Sequence, residues 1–138
     1  MTGENCRANV AADVARGQEA LDSAELLLAA QKHADAVARA YYAIHHFARA
    51  LLLTCDVEVR SHQGLRAQLG LHFVRTGRLD ARFAKLLVQV QRFREVADYE
   101  STFTFTHEHA EEEVRAAREF VAAARALLAT DGFLPPAV

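Results

Sequence analysis

Arg39, Tyr42, His46 and Arg49 are the residues of this chain whose types and spacing best suit chemistry. Steps of three and four residues place them on one stripe of a helix. Arg39 and His46 stand two turns apart, about 10 Å along the axis. A phosphodiester held between them would meet a guanidinium and an imidazole. The arginine would grip phosphate oxygens bidentately and offset charge that builds in the transition state. The histidine would take the proton of a ribose 2′-hydroxyl or protonate the leaving oxygen. The competing reading is structural. His46 would be hydrogen-bonded inside a bundle and Arg39 paired with an acid such as Asp98, because structural ion pairs cluster the same residue types.

Three further groups carry the same pair of readings. Arg94 and Asp98 are four residues apart and suit an ion pair on one helix face. That pair either orients Arg94 or Tyr99 toward a dimer cleft or fixes helix register. His62 follows Ser61, a cap residue, so the helix start there either binds an anion or is simply capped. Tyr41 or Tyr42 could stack on a base, but one of the two must face the core. The candidate catalytic residues are therefore Arg39, His46 and Arg94, and the candidate binding residues are Tyr42, Arg49, His62, Asp98 and Tyr99.

Metal chemistry has less support. Seven histidines is a high count, yet no Glu-x-x-His occurs, and di-iron bundles need that spacing on paired helices. His107-Glu-His109 could hold an ion, but at a helix start these residues are expected to face solvent. His45 and His46 are adjacent, point about 100° apart and share no face. No metal ligand and no cofactor are expected.

The elements that must position these residues are helical. The first is expected from about Asn9 to Gln31, with Val10, Val14, Leu21, Ala24 and Leu28 inward. The second runs from about Ala34 to Thr54. Beside its polar stripe lies an apolar one of Val37, Tyr41, Ile44, Ala48 and Leu51 or Leu52. Cys55–Arg60 connects to a third helix, His62 to about Thr76, capped by Ser61 and stopped by Gly77. Asp80 caps a fourth, about Ala81 to Glu100, whose face is Phe83, Leu86, Leu87, Val90, Phe93 and Ala97. Ser101–Thr106 alternates polar and aromatic residues but has no partner strand, so it reads as a linker pinned by Phe103 and Phe105. Thr106 caps the last helix, His107 to about Ala129, with Glu108, Glu111, Glu112 and Glu113 where the helix dipole favours them. Val114, Ala117, Phe120 or Val121, Ala124 and Leu128 face inward. Gly132 and Pro135-Pro136 close the ordered part. Short loops make consecutive helices antiparallel, giving an all-α, up-and-down bundle of four to five helices. One domain, residues 1–132, is followed by a tail, 133–138.

Composition agrees with that class. The chain has 138 residues, 51% hydrophobic and 25% charged, with few Gly (6) and Pro (2), so it is globular and helix-prone. A net charge of -2 excludes the strongly basic balance of a protein that coats nucleic acid, while leaving room for a local basic cleft. No run reaches the length of a membrane span. Met-Thr-Gly-Glu-Asn lacks the features of a signal peptide, and two cysteines do not make a disulfide framework, so a cytoplasmic setting is expected.

Three blocks in register resemble the HEPN superfamily, in its small stand-alone prokaryotic branch. They are Arg39-Ala-Tyr-Tyr-Ala-Ile-His-His-Phe-Ala-Arg-Ala-Leu-Leu, Ser61-His-Gln-Gly-Leu with His72 to Asp80, and Arg94-Glu-Val-Ala-Asp-Tyr99. The resemblance covers about residues 20 to 100. It implies a homodimeric bundle. Some such proteins are metal-independent ribonucleases, and others are toxins restrained by a minimal nucleotidyltransferase. The nuclease branch carries arginine followed four to six residues later by histidine. This chain departs there: five residues after Arg94 stands Tyr99, which cannot replace an imidazole near neutral pH without a large pKa shift. Arg39 and His46 do match arginine-x6-histidine, but on the second helix. Three functions stay open. One is a toxin–antitoxin or defence protein acting on RNA or binding nucleotide, with a nucleotidyltransferase partner. The others are a non-catalytic dimerisation and binding module, and a metal-binding bundle.

Overall fold

The computed structural model describes residues 3–134, the side chain of Ala97 excepted. Its elements are α1 (Gly3–Ala29), α2 (His33–Leu53), α3 (His62–Leu69), a π-helical turn (Gly70–Val74), α4 (Arg82–Tyr99) and α5 (His107–Thr130). The expected all-α bundle is what forms, with five α-helices among the described residues. Pro135-Pro136 and the Ala97 contribution to the α4 face lie outside what is described.

α2 is the central helix. It packs against α1, α5, α4 and α3. Its expected inward stripe is buried in full: Val37, Tyr41, Ile44, Ala48, Leu51 and Leu52. Alanines at 36, 40, 43 and 50 are buried too and let its neighbours approach closely. α1 lies along α2, and Gly17 sets their separation. A Cβ there would fall 2.6 Å from Cδ2 of Phe47, whose ring is fully buried. A glycine inside a helix costs about 1 kcal/mol relative to alanine; here it makes room for an aromatic ring.

Capping follows the sequence at α3 and α5. Ser61 Oγ accepts from Gly64 N at 2.9 Å, and Thr106 Oγ1 accepts from His109 N at 3.1 Å. At α4 the cap position falls to Ala81, which offers no side-chain cap, rather than to Asp80; Asp80 Oδ1, one residue earlier, accepts from Arg82 N at 2.9 Å and satisfies one free amide of the first turn. Gly77 and Gly132 take the left-handed conformation (φ 78° and 82°) that ends a helix. Gln31 (φ 63°) adopts it as well, at the tight turn between α1 and α2.

Four further expectations change. α1 begins at Gly3 rather than Asn9, because tertiary contacts hold its first turns. Cys6 Sγ bonds to Leu53 O at 3.2 Å, and Arg7 donates to Gly132 O at 2.8 Å and lies over the Phe133 ring. The third helix does not run unbroken to Thr76; it widens at Gly70, where Arg75 N reaches back to Gly70 O. Glu113 is not a solvated first-turn acid. It falls on the α5 face that buries Ala110, Val114 and Ala117, and is 0% exposed. In the 101–106 linker only Phe105 is buried; Phe103 stays 40% exposed with its ring edge-on to Phe105. The α5 core face otherwise forms as expected, with Phe120 and Val121 both buried. Phe133 and Leu134 pack against the core.

Candidate functional site

The polar stripe of α2 does not face another stripe of its own kind. It faces α1, which supplies Asp13 and Arg16. Asp13 sits one residue from the buried Val14 and is itself buried. A buried carboxylate is costly unless it is bonded. Here His46 Nδ1 lies 3.0 Å from Asp13 Oδ1, and Arg49 Nε lies 3.9 Å from Asp13 Oδ2. An ionised carboxylate only accepts, so Nδ1 carries the proton and Nε2 keeps its lone pair in the neutral ring. The histidine is thus held in one tautomer and one orientation.

Two clefts open on either side of His46. One, of about 310 Å³, is lined by Arg16, Glu19, Ser23, Arg39, Tyr42 and His46. The other, of about 470 Å³, is lined by Asp13, Arg16, His46, Arg49 and the 57–60 part of the connector, with Arg60 and Glu58. Arg16 and His46 belong to both. Four arginines stand against three carboxylates around the two clefts together. The site is locally cationic without being a broad basic surface, in keeping with the acidic whole.

Of the candidates named from sequence, Arg39, Tyr42, His46 and Arg49 are brought together here. Arg39 is exposed, with its guanidinium 5.6 Å from the Tyr42 ring centroid. It does not take Asp98 as partner. Asp98 pairs instead with Arg94 at 3.2 Å, and Arg94 also donates to Tyr42 Oη at 3.1 Å. Arg94 lies over both Tyr41 and Tyr42 rings, at 5.3 and 5.6 Å. It does not line either cleft; it reaches the site through Tyr42. Tyr99 is 81% exposed at the end of α4.

His62 belongs to a neighbouring knot. Its Nδ1 is hydrogen-bonded to Tyr41 Oη, and its ring lies 5.3 Å from that of His45. Burial pushes the Tyr41 hydroxyl up to about 12, against the opposing pull of Arg94. Burial pushes His45 down to about 4, helped by the neighbouring His46 and His62. His45 is therefore neutral near pH 7, with a buried Nδ1 that has no hydrogen-bond partner.

Sequence reasoning missed Asp13, Arg16 and His45. A signal for Asp13 was present, a charged residue set beside Val14 on a face otherwise expected to be apolar; Arg16 is exposed and carried none. The expectation for His107 and His109 also changes, since both are half-buried. His109 lies edge-on to Phe93 at 4.2 Å, and His107 meets His33. Each lies on a face of α5 that another element covers.

Comparison with known proteins gives the context. The family described as HEPN domain matches residues 13–132. A Methanocaldococcus jannaschii protein named as a "putative toxin" is 35% identical over 88% of this chain and 90% of its own length. A UPF0332 protein of Thermotoga maritima is 32% identical over 82% of this chain and 86% of its own. A second UPF0332 protein, from Pyrococcus horikoshii, is 44% identical over 51% of this chain and 49% of its own length.

Proposed function

The chain belongs to the HEPN family, and from that premise we propose that it is a toxin-like HEPN protein acting on RNA at the α1–α2 clefts. The observation that carries this reading is the Asp13–His46 pair set between arginine-lined clefts. With Nδ1 held by Asp13, Nε2 of His46 is free to take a ribose 2′-hydroxyl proton. The 2′ oxygen then bonds to the adjacent phosphorus, and the bond from phosphorus to the 5′ oxygen breaks. The leaving oxygen takes a proton from water, and the imidazolium returns its own to solvent. The products are a 2′,3′-cyclic phosphate and a 5′-hydroxyl end. Arg16, Arg39 and Arg49 would hold the phosphate oxygens and offset their growing charge. Arg94, Asp98 and Tyr42 form the bracket that positions the wall of the cleft, and His62 steadies it through Tyr41.

The name of the archaeal relative supports the toxin reading. The same reading extends to a homodimer in the cytoplasm, restrained by a minimal nucleotidyltransferase partner. Among the described residues no helix is long and apolar enough to cross a membrane.

The test is incubation of the purified protein with mixed RNA in excess chelator, beside His46→Ala and Arg16→Ala. Cleavage by wild type that both variants lose supports a metal-independent ribonuclease. Equal traces in all three would point to a contaminant and sink the catalytic reading. A second reading, a binding module without catalysis, is favoured by α4. The residue five beyond Arg94 is an exposed tyrosine, and the Arg94 guanidinium is occupied by Tyr42 and Asp98. RNA or nucleotide binding without cleavage would select it.

A further inference from the structure

We propose that Gln31, His33 and His107 form a binding site for a divalent transition-metal ion of the zinc class, stapling the α1–α2 turn to the start of α5. His33 Nε2 lies 3.1 Å from His107 Nδ1 and also 3.1 Å from Gln31 Oε1. Two polar atoms thus crowd His33 Nε2, which can hold at most one proton. If that nitrogen is protonated, one hydrogen must serve two acceptors. If it is not, its lone pair either serves two donors, with the Gln31 amide nitrogen turned inward, or faces the lone pairs of the amide oxygen. A cation satisfies all three atoms at once.

The spacing suits such an ion. Metal–nitrogen bonds of about 2.0–2.1 Å at angles between square and tetrahedral put cis nitrogens about 2.9–3.3 Å apart, and the two imidazoles stand within that span. Behind the His107 ring, Glu111 Oε2 lies 3.7 Å from Nε2, close enough for its charge to favour a cation on Nδ1. The donors stand on fixed elements. Gln31 occupies the left-handed position that ends α1, locked by Lys32 N to Leu27 O at 2.8 Å, while His33 and His107 open α2 and α5. Asp35 and Glu108 in the first turns of those helices offset the positive helix ends that a cation would otherwise meet. Among the described residues there is no group of three or more His, Cys, Asp or Glu placed to hold a metal. The third donor here is an amide oxygen, which leaves at least one position to water and selects an imidazole-preferring ion such as Zn²⁺, Ni²⁺ or Co²⁺ over Mg²⁺ or Ca²⁺.

None of the three residues lines the Asp13–His46 clefts, so the site is independent of the RNA reading. The experiment is calorimetric titration of the chelator-stripped full chain with Zn²⁺, repeated with Co²⁺ and read by visible absorption. Wild type should bind one ion per chain, develop Co²⁺ ligand-field bands and melt at a higher temperature with Zn²⁺. His33→Ala and His107→Ala should each weaken binding at least tenfold and lose the bands. His72→Ala, which alters an imidazole bonded to Gln68 elsewhere, should bind as wild type does. Circular dichroism checks each variant's fold, and either histidine variant alone suffices for the comparison. Absence of saturable binding by wild type overturns the proposal. So does wild-type affinity in a folded His33 or His107 variant, since the ion would then sit on other histidines or on the thiols.

Discussion

His46 is bonded through Nδ1 to the buried carboxylate of Asp13, 3.0 Å away and 33 residues earlier in the chain. The pair fixes the tautomer that leaves the Nε2 lone pair open, the atom the proposed cleavage would use as base. Asp13→Asn keeps the shape but presents an amide that can donate to Nδ1 and favour the opposite tautomer. RNA cleavage should fall by about 10²- to 10⁴-fold, with little change in melting temperature. Single-turnover cleavage beside thermal melts checks this; an unchanged rate would remove His46 from catalysis.

Arg39 and Arg94 should separate. Arg39 is exposed and touches only the Tyr42 ring among the contacts described. Arg39→Ala should leave stability within about 0.5 kcal/mol while weakening RNA or nucleotide binding. Arg94→Ala strips the bracket from Tyr42 and Asp98 and should cost about 1–3 kcal/mol, read by urea denaturation. Equal melts for the two variants would contradict this division.

Gly17 is a steric requirement. Gly17→Ala puts a methyl into the fully buried Phe47 ring and should destabilise by about 1–3 kcal/mol. Adding Phe47→Leu should recover part of that loss. A double-mutant cycle gives the coupling, and strict additivity would show that the ring does not set the helix separation.

Glu113 and His45 give pH dependences of opposite sign. Burial raises the Glu113 carboxyl, with the Gln89 bond at 2.8 Å opposing it. The unfolded chain ionises this group at the ordinary glutamate value, before the folded chain does. Its contribution is therefore full below that value and lost as pH rises through the raised one. Glu113→Gln should flatten this part of the pH–stability curve and be no less stable than wild type above it.

His45 has the reverse sign. Its folded value of about 4 lies below the ordinary 6.5, so the unfolded chain takes up the proton first. Stability falls as pH drops from about 6.5 toward 4. His45→Phe fits the aromatic contacts with Tyr41 and His62 and should blunt that acid loss, measured by melts across the range. A curve as steep as wild type would assign the loss to another histidine.

How much was legible follows the range of the interactions. Ser61, Thr106, Gly77 and Gly132 could be assigned because caps and stops involve neighbours three to five residues away. The two stripes of α2 were readable because helical periodicity is a local property. The start of α1 was not, since Cys6 and Arg7 are held by Leu53 and Gly132 from distant parts of the chain. Asp13 was missed because its partner is on another helix, and Glu113 because its burial depends on where α4 lies over α5.

The sequence by itself determined a helical bundle, its caps and the polar stripe of α2, since backbone sterics and hydrogen bonds within a few residues dictate these. Tertiary structure alone decided that Asp13 holds His46, that Arg94 braces Tyr42 and that His33 meets His107. Such contacts depend on how far apart and at what rotation two helices pack, and that is set by side-chain volume at the seam, as Gly17 against Phe47 sets it here.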